Sequence, residues 1–151
     1  MSRRWVIGLT LLVSVLALGA SALSSYVLSV IPPHVQTNAD ALAKQAQTAP
    51  LTTLGALLAA ILVAPWCEEV FFRGFVFPGL LRRLPLWPTM ALSAALFALA
   101  HADVGSFIPL VLLGLALAYL RWRTGSLWPC IALHTLNNLI ATALLAHAFF
   151  H

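Results

Sequence analysis

LTTLGALLAAILVAPWCEEVFFRGFVFPGLL, residues 51–81, is the stretch that decides how this chain folds. Read as one helix it is about 46 Å long, more than the roughly 30 Å of a bilayer's hydrocarbon core. Pro65 sits inside it and predicts a kink or break, because proline lacks the N–H that a helix interior needs. Broken helices at membrane depth are tolerated where they line a cavity. Two adjacent carboxylates, Glu68 and Glu69, follow that proline directly. An ionisable side chain at such depth is costly and marks a functional site by default.

The rest of the chain fits the same solvent. Of its 151 residues 62% are hydrophobic and 8% charged, against about 25% charged in a soluble domain. That excludes intrinsic disorder and a soluble α/β enzyme. Five spans are expected: Trp5 to Ile31, Leu51 to Leu81, Leu86 to His101, Ser106 to Leu120 and Leu127 to Phe149. The first carries a small-residue pattern, Ala20-Ser21-Ala22, that suits signal-peptide cleavage. Apolar residues continue past it to Ile31, which favours a retained helix. Pro32 to Pro50, with His34, read as an external loop holding a short helix over Asn38 to Ala46. Leu86-Trp87-Pro88 and Leu127-Trp128-Pro129 open two spans with an interfacial Trp and a helix-starting Pro.

Charge sets the orientation. Arg3, Arg4, Arg82, Arg83, Arg121 and Arg123 fall on one side, and only Lys44 on the other, which makes the N-terminus cytoplasmic. The net charge of +4 comes from these flanking arginines and not from a basic patch, so nucleic acid is not an expected partner. Cys67 and Cys130 lie far apart in apolar segments and support no disulfide framework. Cys67 reads as a small core residue. The fold class is all-α, a polytopic membrane helix bundle. Residues 1–50 are its N-terminal span and loop, and 51–151 its functional bundle.

The polar residues inside the spans are few: Glu68, Glu69, Arg73, His101, His134, Asn137 and Asn138. Counted from the arginine anchors and the Trp-Pro starts, their depths spread over roughly 10 Å, a gap that helix tilt can close. Glu69 and Arg73 are four apart and share a helix face, so Arg73 neutralises Glu69. Glu68 lies about 140° from Arg73 and is left beside Phe72, where a general base or acid fits. His134 and Asn138, also four apart, present their side chains together. Asn137 reads as packing or as support behind the site, and Asp103 as the outer boundary near His101, with a site role as the lesser reading.

These residues carry a resemblance. Glu68-Glu69-Val-Phe-Phe-Arg73 resembles the Glu-Glu-x-x-x-Arg motif of the CPBP intramembrane proteases, the CAAX-protease and bacteriocin-processing (Abi) family. Phe97-Ala-Leu-Ala-His101 resembles the family's Phe-x-x-x-His, and His134-Thr-Leu-Asn-Asn138 its His-x-x-x-Asn. The three occur in the family's order on separate spans, and the likeness covers roughly Leu51 to Leu145. It implies a membrane helix bundle that cuts prenylated or other membrane-anchored proteins, such as a C-terminal sorting or anchor segment. It implies a prokaryotic cytoplasmic membrane. It also makes Glu68 the catalytic carboxylate, His101 its helper in activating water, His134 and Asn138 the oxyanion donors, and Glu69 and Arg73 orienting or structural residues.

Peptide hydrolysis needs a base for water, donors for the oxyanion and an acid for the leaving amine, and this set supplies all three without a cofactor. The rival is a zinc site of His101, His134 and Glu68, three ligands with an open position. Other chemistries fail on residues: there is no His-Glu-x-x-His, no pair of membrane aspartates and no Gly-x-Ser-x-Gly. The bland alternative is a non-catalytic immunity or scaffold protein whose histidines are interhelical glue. A proton-coupled transporter is a third reading, weakened because no inverted repeat is visible.

Overall fold

The computed structural model describes residues 2–30 and 37–150. The expected loop residues 32–36, His34 among them, lie outside the described residues, as does His151. Within them the chain is all-helical: α1 (Arg3–Val30), α2 (Asn38–Thr48), α3 (Pro50–Leu62), α4 (Ala64–Glu69), a π-helical segment (Val70–Val76), α5 (Phe77–Leu81), α6 (Leu86–Ala100), α7 (Phe107–Thr124) and α8 (Trp128–Phe150).

Local chemistry sets most of these boundaries. Thr37 and Asp40 close α2 with a reciprocal capping box: Asp40 N–H donates to Thr37 Oγ1 at 3.2 Å, and Thr37 N–H to Asp40 Oδ2 at 2.8 Å. Pro50 stands at the start of α3, and Pro65 in the first turn of α4, where its missing N–H is harmless. The break expected at Pro65 therefore falls at Val63, between α3 and α4. Gly125, at φ 67°, ends α7 in the left-handed conformation that glycine adopts freely.

The bundle is organised around α7, which packs against α1, α6 and α8, while α3 and α4 lie on α8. Its core holds Phe72, Phe97, Leu113, Leu117, Leu120 and Leu133, with Val13 and Ala17 of α1 joining the same cluster. Large apolar side chains on the outside, such as Leu11, Val15, Leu51, Phe75 and Leu144, are more than half exposed. They form a lipid-facing surface, as a polytopic membrane protein requires. Where α6 meets α7, Gly114 lets the backbones close up: a Cβ there would lie 2.9 Å from Ala94 Cα. Small residues at helix crossings serve this purpose in membranes.

Among the described residues four helical stretches, not the five expected, are long and apolar enough to cross a membrane: Arg4–Ser24, Pro50–Leu81, Phe107–Thr124 and Trp128–His147. The third expected span is the short one. Helix α6 has 15 residues, or about 22 Å. It stops at His101, after which Ala102 takes a left-handed φ of 49° and turns the chain back.

The π-helical segment has no counterpart in the sequence reading. Its last turn closes with Phe77 N–H donating to Phe72 O, five residues back. Gly74 lies inside it, and a Cβ there would be 3.6 Å from Leu127 Cδ1, just ahead of α8. By residue 74 the chain has thus come level with the start of α8.

Candidate active site

The two glutamates leave their helix in different directions. Glu69 is completely buried and Glu68 is 29% exposed at its side chain. On a helix adjacent residues stand about 100° apart, so one points into the bundle while the other faces open space.

Glu69 organises the buried side. Its Oε1 accepts from Arg73 Nη1 at 3.2 Å and from His134 Nδ1 at 2.9 Å. The pairing with Arg73 matches the expectation from spacing; the bond to His134 does not follow from it. That bond joins residues 65 positions apart, and no local pattern announces it. Arg73, also fully buried, donates Nη2 to Gly114 O at 3.0 Å. Its guanidinium lies 4.4 Å from the centroid of the Phe97 ring, a cation–π contact. The carbonyl of Arg73 accepts from Arg121 Nε at 3.1 Å. Charge distribution marks Arg121 only as a cytoplasmic anchor; in the fold it reaches back to a backbone oxygen of the π-helical segment.

Phe97 is the hub of this layer. It is fully buried and meets Phe72, His101 and His134 edge-on, with centroid distances of 5.3, 4.7 and 5.5 Å. The first position of the Phe-x-x-x-His pattern thus separates the two histidine rings and covers the arginine.

On the open side, Glu68 Oε2 lies 3.5 Å from His101 Nε2 and 3.8 Å from His134 Nε2. The roughly 10 Å spread in depth is therefore closed: α4, α6 and α8 bring the three side chains to one point. His101 Nδ1 bonds Phe97 O at 2.8 Å. A carbonyl only accepts, so this nitrogen carries a proton, and the ring turns its Nε2 toward Glu68. The same logic holds for His134, whose Nδ1–H goes to the Glu69 carboxylate. Glu68 Oε2 is buried and without a hydrogen-bond partner among the described residues. A carboxylate facing two such nitrogens is satisfied when a proton is shared among them.

Asn138 lies one turn beyond His134 and donates Nδ2–H to Ala60 O at 2.9 Å. That carbonyl belongs to the last turn of α3, where helix geometry leaves oxygens without donors. One amide N–H is thereby committed, and the other is left for the cavity. Asn137 donates to Asn138 Oδ1 at 3.4 Å. Asp103 is buried and bonded to backbone on both sides, so it is more than the boundary marker expected. Cys67 is exposed and not a core residue. It lies two positions from the fully buried Glu69, about 200° around the helix, and so must face outward.

Glu68 and His101 open onto two spaces. A cavity of about 650 Å³ is lined by Glu68, His101 and Asn138 together with apolar side chains from α1, α3, α7 and α8. A second, of about 350 Å³, is lined by Glu68, Phe72, Ala100 and His101. Among the described residues no group of three or more His, Cys, Asp or Glu side chains has the arrangement to hold a metal ion.

Comparison with known proteins bears on this arrangement. Residues 50–140 match the family model described as "Type II CAAX prenyl endopeptidase Rce1-like". The matched region begins at α3 and holds all three motifs. The chain is 27% identical over 101 residues to the protein described as "Putative membrane peptidase YdiL" of Bacillus subtilis (strain 168). That alignment covers 67% of this chain and 40% of the relative. No solved structure matches.

Proposed function

Since the chain belongs to the Rce1-like family of type II CAAX prenyl endopeptidases, we propose that it is a glutamic-type intramembrane endopeptidase acting on a membrane-anchored protein. One observation carries the reading. A buried glutamate oxygen without a hydrogen-bond partner among the described residues faces the Nε2 atoms of two histidines, at 3.5 and 3.8 Å, on the wall of a largely apolar cavity.

In this mechanism Glu68 takes a proton from a water hydrogen-bonded to both it and His101 from the cavity side, and the water oxygen attacks the scissile carbonyl carbon. The oxyanion receives the free N–H of Asn138 and a proton on His134 Nε2. Glu69, bonded to His134 Nδ1, compensates the positive charge of that doubly protonated ring. The C–N bond then breaks, and the proton held by Glu68 passes to the departing amine. Glu69 and Arg73 orient and touch no substrate atom. The cavity's apolar lining suits a substrate delivered from the bilayer, such as a C-terminal anchor segment. The B. subtilis relative supports a prokaryotic cytoplasmic membrane as the setting.

The test is Glu68→Gln in purified protein, assayed against membrane-anchored reporter polypeptides, with strong chelator as a second arm. General acid–base catalysis contributes about 10²–10⁴-fold, so cleavage should fall at least that far, and chelator should leave wild-type activity intact. Full cleavage by Glu68→Gln overturns the assignment of Glu68. Loss of wild-type activity in chelator, restored by zinc, replaces the metal-free mechanism.

A further inference from the structure

Asp103 is the one acid that this mechanism and the α2 cap leave unused, and it is 8% exposed. Its two oxygens accept two backbone N–H groups from different elements. Oδ2 takes Asn38 N–H, at the start of α2, at 2.9 Å; Oδ1 takes Ser106 N–H, at the cap of α7, at 3.0 Å. Helix starts leave such donors free, and here one carboxylate satisfies one from each. The Asn38 side chain then donates Nδ2–H to His101 O at 3.1 Å. Between these bonds lies Ala102 at φ 49°, a conformation that a residue with a Cβ keeps only where its surroundings over-determine it.

The turn from His101 to Ser106 is thus fastened at its far end by Asp103 and at its near end by Asn38. Helix α2 is clasped onto it from outside. The bond that fixes the His101 ring comes from its own helix, through Phe97 O. What holds His101, the cap of α6, in place is the turn behind it. Asn38, Ala39 and Leu42 also line the cavity that Glu68 and His101 share, so the same clasp seats α2 over the site.

We propose that Asp103 is a positioning residue for His101. By tying α2 to the α6–α7 turn, it sets where His101 Nε2 stands relative to Glu68. The inference rests on the proposed role of His101 in catalysis; Asp103 itself touches no reacting group.

The experiment uses the full chain in detergent micelles with ¹⁵N-labelled histidine, the His101 signals being assigned by their loss in His101→Gln. In wild type His101 should show one fixed tautomer, with the proton on Nδ1. Asp103→Ala should turn those signals into a mixture of tautomers and leave those of His134 in place. Turnover of a membrane-anchored reporter should fall about 10- to 100-fold, the scale of a displacement near 1 Å, with KM little changed. Asp103→Asn keeps one acceptor and should recover part of both. If Asp103→Ala does not fold, Asn38→Ala, which removes only the side-chain bond to His101 O, gives the decision. Unchanged His101 signals in whichever of these variants is folded overturn the proposal. Shifted His101 signals together with full cleavage by Glu68→Gln uphold the positioning role and remove the catalytic reading instead.

Discussion

Arg73→Met is the sharpest probe of the buried layer. Arg73 and Glu69 are both 0% exposed and bonded at 3.2 Å. Removing one partner of a buried ion pair costs about 3–5 kcal/mol, because the other charge stays behind unpaired. Gly114 O loses its donor at the same time, at about 1–3 kcal/mol for a buried acceptor. The relief available to Glu69 is His134, whose Nδ1 already lies 2.9 Å away. Taking the ion-pair loss alone, about 3–5 kcal/mol corresponds to a fall in midpoint of roughly 6–20 °C in a chain of this size. The pair with Glu69→Gln closes a double-mutant cycle. The glutamine side chain is neutral and still accepts from His134, so the double variant should recover at least about 2 kcal/mol of the sum of the two single losses. Thermal unfolding of the four proteins in one detergent measures this. A midpoint for Arg73→Met within about 3 °C of wild type, or two single losses that simply add, would refute the claim that the pair holds the layer together.

Three further outcomes are expected. Gly114→Ala places a Cβ 2.9 Å from Ala94 Cα and 3.0 Å from its Cβ, so α6 and α7 must part; the cost should be about 1–3 kcal/mol in thermal unfolding, and Ala94→Gly should restore only part of it. Arg121→Met removes the Nε–H bond to Arg73 O and should lower hydrogen-exchange protection across Val70–Val76 while leaving α1 protected; uniform loss along the chain would mean that Arg121 has no specific hold on the π-helical segment. Asp40 is held below its ordinary 3.8 by the backbone N–H of Thr37 and then by its hydroxyl, a lowered folded value whose stabilisation is full above 3.8 and lost as pH falls through the folded value. The difference in α2 exchange protection between wild type and Asp40→Asn should accordingly be complete near neutral pH and disappear in strong acid.

How much of this was legible follows from the range over which each interaction acts. The spans came from composition and length, which report the solvent directly. The Glu69–Arg73 pair came from a spacing of four on a helix. Helix α2 came from its polar surroundings and begins at Asn38 as expected, but the Thr37–Asp40 capping box that starts it was not read. What stayed hidden is what distant parts of the chain decide together. The bond from His134 to Glu69 and the reach of Arg121 to Arg73 O need the packing of α7 and α8 before they exist. The π-helical segment has no residue signature of its own. It lies where Gly74 meets Leu127 and where a side chain from α7 takes up a carbonyl. The extent of α6 was legible, expected as Leu86 to His101 and observed as Leu86–Ala100; the left-handed turn at Ala102 behind it was not.

The adjacency of the two glutamates has a physical reason in this geometry. A carboxylate that is to work on water must reach a cavity, and the histidines around it must be held by something that does not. Residues one apart diverge by about 100°, enough to send one side chain into the protein and its neighbour into open space from a single turn. Glu69 uses the inward direction to fix His134 through Nδ1, and the guanidinium of Arg73 compensates its charge. Glu68 uses the outward direction to meet the Nε2 atoms of both histidines. A spacing of three or four would place both carboxylates on one face, either both buried, needing two compensating cations, or both in the cavity with neither behind His134. The bundle supplies one buried arginine beside them, Arg73. One inward acid is what that single cation balances, and the outward acid is left facing the Nε2 atoms of the two histidines.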